Sequence, residues 1–89
     1  MEASVIRIAA STPVEAAGKA IAKRIENGEK VELSAIGAAS VNQLVKSTIE
    51  ANKVLAGKGI FTRCVFAYRN TEVNGLEYSS VVCKLFVVD

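Results

Sequence analysis

The chain has 89 residues, 51% of them hydrophobic, with eleven Lys and Arg against nine Asp and Glu, no His and no Trp. That length is one domain, 1–89, which buries roughly 60–65% of its unfolded surface, enough for one thin core but not for a deep enclosed active site. A net charge of +2 lies below that of a committed polyanion binder, so any such binding needs a local patch or its multiplication in a homodimer or higher homo-oligomer.

Ser4 to Ala9 reads as a short strand, with Ile6 and Ile8 on one side and Val5 and Arg7 on the other. Thr12-Pro13-Val14-Glu15 has the pattern of a capping box with Pro at the first helical position. A helix to about Asn27 follows, with Val14, Ala17, Ile21 and Ile25 as its apolar stripe. Gly18 beside the stripe predicts close packing against the sheet, and Gly28 a left-handed end.

Val31 to Ile36 is a second strand, ended by Gly37. Ser40-Val41-Asn42-Gln43 can form a second capping box for a helix to about Leu55, with Val41, Leu44, Val45, Thr48 and Leu55 facing inward. Ile60 to Val73 and Leu76 to Val88 are two long strands around Asn74-Gly75, the strongest short hairpin signal. The order β-α-β-α-β-β, with right-handed crossovers, gives an α/β two-layer sandwich: a four-stranded mixed sheet with both helices on one face and a long C-terminal β-hairpin.

A two-residue turn sets Val73 opposite Leu76, Phe66 opposite Cys83 and Cys64 opposite Leu85. Cys64, Phe66, Tyr68, Val81, Cys83 and Leu85 then form the face under the helices. Arg63, Val65, Arg69, Ser80, Val82, Lys84 and Phe86 form the other, joined by Arg7. That second face is either a nucleic-acid surface, with cations for phosphates and rings for bases, or a solvated or dimer-forming sheet. The hairpin tip overhangs the core; Arg69 against Glu72 and Glu77 leaves it without net positive charge, and Leu76 and Tyr78 are either partner contacts or ordinary hairpin pairs.

The two cysteines sit diagonally on the covered face and read as small hydrophobes rather than redox or metal groups. Two cysteines without His make no standard zinc site, and no metal or cofactor is expected. With no His, no nucleophile elbow, no phosphate-binding Gly motif and no candidate carboxylate pair beyond the solvated helix end at Glu26 and Glu29, the chain is expected to be non-enzymatic, with no catalytic residues. No apolar run is long enough to span a membrane and the start lacks a signal-peptide pattern, so the expectation is a cytoplasmic protein without a membrane partner.

One edge remains. The carboxyl ends of the two parallel strands should lie side by side, each leading into a helix start. Ser11, Thr12, Gly37, Ala38, Ser40, Asn42, Gln43 and Lys46 gather there. They suit a phosphate or a partner's acidic group. Alternatively, the small polar residues cap their own helices, a role that cannot employ Asn42, Gln43 and Lys46 together.

Ala35-Ile36-Gly37-Ala38 followed by Val41-Asn42-Gln43-Leu44-Val45-Lys46 resembles the central signature of the stage V sporulation protein S family. Ser11-Thr12-Pro13, the Ala17–Ala22 segment and the closing hairpin agree with it, so the likeness covers nearly the whole chain. It implies an Alba-like fold, whose members are commonly dimers that bind DNA or RNA, and a cytoplasmic bacterial developmental regulator. Alba proteins carry lysines in the first strand-to-helix loop, where this chain has Ala10-Ser11-Thr12-Pro13, and arginines flanking the glycine after strand two, where it has Ile36 and Ala38. Their DNA-contact residues therefore do not transfer one by one.

Candidate nucleic-acid contacts are Ser11, Thr12, Gly37, Ser40, Asn42, Gln43, Lys46, Arg63, Arg69 and Lys84. The alternative function is a protein–protein interaction module in a bacterial regulatory pathway, docking through the same edge or the hairpin tip without binding nucleic acid.

Overall fold

The computed structural model describes residues 4–88. Strand β1 is Ser4–Ile8, helix α1 Val14–Glu26, strand β2 Val31–Ala35, helix α2 Ala38–Ala56, and strands β3 and β4 are Phe61–Val73 and Leu76–Val88. The sheet order is β1-β2-β4-β3, with β1 and β2 parallel and the other pairs antiparallel. The hairpin register is the expected one: Val73 meets Leu76, Phe66 meets Cys83 and Cys64 meets Leu85. Asn74 and Gly75 carry the two positive φ angles, 52° and 78°, that the tight turn requires.

The core lies between the sheet and the helix layer. Ile21, Leu33, Leu44, Leu55 and Cys83 are fully buried there, with Ile8, Ile25, Val31 and Leu85 around them. Burying side chains of this kind stabilises the fold by about 1.5–3 kcal/mol each. Gly18 packs tightly, but against α2 rather than the sheet: a Cβ there would lie 2.5 Å from the Glu50 Cβ and 2.9 Å from the Ala51 N. The close approach of α1 turns Ser47 and Ala51 of α2 inward, both buried, while Val45, expected inside, is 39% exposed. Ser47 tolerates burial because its hydroxyl donates to the Gln43 carbonyl at 2.8 Å.

Neither expected capping box forms. Pro13 is itself the cap of α1: its carbonyl accepts from the Ala17 N–H at 3.0 Å. The Thr12 hydroxyl turns back to accept from the Ala9 N–H at 2.8 Å. Helix α2 starts earlier than expected. Gly37, at φ 90°, caps it and accepts from the Val41 N–H at 3.0 Å, and the good helix formers Ala38 and Ala39 extend the helix back from Ser40.

Candidate nucleic-acid interface

The rim forms where β1 and β2 end side by side. Thr12 lies in the turn after β1 and Gln43 in the second turn of α2, and the Gln43 Nε2 donates to the Thr12 carbonyl at 2.9 Å. That bond ties the two strand-to-helix connections together, so Gln43 is a strap rather than a free contact. Ser11, Gly37, Asn42 and Lys46 are exposed around it, and Ser40 is half-buried in the first turn of α2. Lys46 makes no ion pair among the described residues.

The remaining candidates stand on the sheet face away from the helices. Arg63 is exposed and holds its guanidinium 5.4 Å from the centre of the Phe86 ring, a cation–π pair across β3 and β4. Lys84 stands opposite Glu32 and Val65. Arg69 is not the free cation the sequence suggested, nor is it set against the tip acids. It grips Glu32 with both terminal nitrogens, at 2.5 and 3.0 Å. Glu32 is only 5% exposed, and the hydrogen bonds from Arg69 hold its carboxyl below the usual value, outweighing the burial that would raise it.

The register shows why this pair forms. Arg69 faces Ser80, Glu32 faces Lys84, and the row between them carries Ser34, Val82 and Ala67. The arginine thus reaches diagonally over Val82, which is 3% exposed. Ser80 is fully buried too, its hydroxyl donating to the Arg69 carbonyl at 2.9 Å and meeting the Thr71 hydroxyl at 3.1 Å. The second sheet face is therefore closed at the root of the hairpin and open only on either side of it.

A residue outside the candidate set also belongs here. The hairpin arm curls toward β1 across the open face, and the two line a half-open cleft of about 410 Å³. Val5 and Arg7 of β1 line it from one side, Thr71 and Val73 of the arm from the other, with Ile36 and Ser40 at the rim end. Arg7 is exposed and makes no ion pair among the described residues. Alternation along β1 placed it on this face, but the bend of the arm, which builds the cleft, has no sequence signal of its own.

The cysteines follow the expected diagonal, Cys83 buried and Cys64 half-buried, both as free thiols. Burial, with the Cys64 thiol beside it, pushes the Cys83 thiol up to about 12. No cluster of three or more potential metal ligands occurs among the described residues, and no helix among them is long and apolar enough to cross a membrane.

Comparison with known proteins agrees with this architecture. None of the curated proteins compared matches the chain. Among solved structures, Alba from Thermoplasma volcanium superposes with a TM-score of 0.60 at 14% identity, covering 92% of this chain and 98% of that one. At that identity the likeness establishes the fold as Alba-like. The family model for stage V sporulation protein S matches residues 4–88. The chain accordingly belongs to the stage V sporulation protein S family.

Proposed function

We propose that this protein is a non-enzymatic, nucleic-acid-binding regulator of sporulation or a related developmental process, working in the cytoplasm as a homodimer or higher homo-oligomer. The observation that carries the reading is where charge remains uncompensated. Lys53, Lys58 and Arg69 are neutralised by Glu50, Glu26 and Glu32. Lys46 on the rim, Arg7 in the adjoining cleft and Arg63 and Lys84 on the same sheet face have no carboxylate within ion-pair distance among the described residues, as is also true of Lys19, Lys23, Arg24 and Lys30 elsewhere. A polyanion gains most where cations are not already paired, because each phosphate contact releases counterions.

Oligomerisation is supported by apolar surface that the helices leave uncovered. Phe66 is 49% and Tyr68 82% exposed on β3, which is an edge strand of the sheet. Doubling the patch by two-fold symmetry would offset the small net charge of one chain.

The test is a titration with DNA and RNA oligonucleotides at about 50 and about 200 mM salt, with chain mass measured in parallel. Log affinity should fall linearly with log salt, and Lys46→Ala should weaken binding at low salt and reduce the slope by about 1. Binding that does not respond to salt would overturn the proposal. A protein-interaction module is the second reading, favoured by Leu76 at 61% exposure on the arm. It predicts a captured partner lost on Asn42→Ala, with no polyanion binding.

A further inference from the structure

The cleft beneath the arm has a size and lining that discriminate among forms of nucleic acid. We infer that it takes one unstacked nucleotide, so that the protein prefers single-stranded nucleic acid to duplex; this rests on the nucleic-acid reading above. At about 410 Å³ the cleft lies in the range of small-molecule sites, ~300–1,000 Å³. A duplex keeps its bases stacked and paired inside the helix, so none of them can enter the cleft. An extruded nucleotide can, as in proteins that read splayed bases.

The lining supplies what a nucleotide needs. Val5, Ile36 and Val73 are 54%, 38% and 38% exposed and offer apolar surface to a base. Ser34 and Ser40 bring hydroxyls that can donate to or accept from a base edge. Arg7 supplies a planar, permanently charged group suited to phosphate. Arg69 also lines the cleft, but Glu32 holds it and cancels its charge, so Arg7 is the cation left for an incoming anion.

The experiment compares a labelled oligo(dT), an oligo(U) and a duplex of equal length at low salt, on the whole chain and on Arg7→Gln and Ile36→Ser. Both substituted side chains are exposed, and an unchanged melting midpoint confirms that the variants fold. Wild type should bind a single strand at least several-fold tighter than duplex. Ile36→Ser should lose about five- to tenfold in single-strand affinity and leave duplex affinity unchanged, and Arg7→Gln should lose about five- to tenfold on the single strand and clearly less on duplex. Equal losses on both forms would make Arg7 a general surface charge and overturn the cleft, with the nucleic-acid reading intact. Equal competition by poly-glutamate would also overturn it, by showing a site for any acid. No binding of any of the three polymers would overturn both readings.

Discussion

The helix-covered half of the sheet and the arm share strands β3 and β4, yet they are held together differently. In the covered half, Leu33 and Cys83 are fully buried and every second side chain feeds one apolar core. In the arm the same alternation continues, but Tyr68 is 82% and Leu76 61% exposed. At the root of the arm the fixed points are polar: Arg69 on Glu32, and Ser80 between Thr71 and the Arg69 carbonyl. Alternation thus decides which face a side chain joins. A second layer decides whether that face is buried.

The comparison breaks most sharply by cutting into the core. Leu33→Ala should cost about 2–5 kcal/mol by denaturant unfolding, from lost burial and the cavity left behind. Tyr68→Ala should change the stability of the isolated chain by less than about 0.5 kcal/mol. A similar loss for both would mean that the arm is covered in solution, which chain mass would reveal. Next in size is the turn. Replacing Asn74 and Gly75 together by alanine puts alanine at two left-handed positions that Asn and Gly tolerate, at up to about 1–2 kcal/mol per residue. The loss should appear as exchange of arm amides, while those of β1 and β2 stay protected.

The smallest effect concerns the ion pair. The Glu32 pKa in the folded protein lies below its ordinary value of 4.5, chiefly because Arg69 donates to it. Its contribution is therefore present above about pH 4.5 and lost as pH falls through the lowered folded value. Arg69→Ala removes the hydrogen bonds that hold the Glu32 carboxyl down, leaving burial to push its pKa up against the pull of Lys84 alone. The variant should melt below wild type at pH 7, and the gap should narrow as pH falls below 4.5. A constant gap across that range would show that the pair does not brace the arm.

Much of the candidate site was legible for a local reason. Two strands each followed by a helix bring Thr12, Gly37, Gln43 and Lys46 to one rim, and both connections end there. The caps were misread because Pro13 and Gly37 have backbones that begin a helix without side-chain help, which left Thr12 and Ser40 free for other positions. Arg69 was misread because its partner Glu32 is 37 residues away in sequence. No local pattern distinguishes an arginine that reaches across a sheet from one that faces solvent.

By itself the sequence determined the order of elements, the hairpin register and the family likeness, because alternation, turn residues and chain order act over a few residues. Tertiary structure alone decided that the helices leave Phe66 and Tyr68 of the covered face exposed, that α1 closes on α2 at Gly18, that Glu32 and Arg69 cancel, and that the arm and Arg7 line one cleft. Those outcomes depend on the twist of a whole sheet and on side chains distant in the chain, and the energy that selects them exists only once the layers meet.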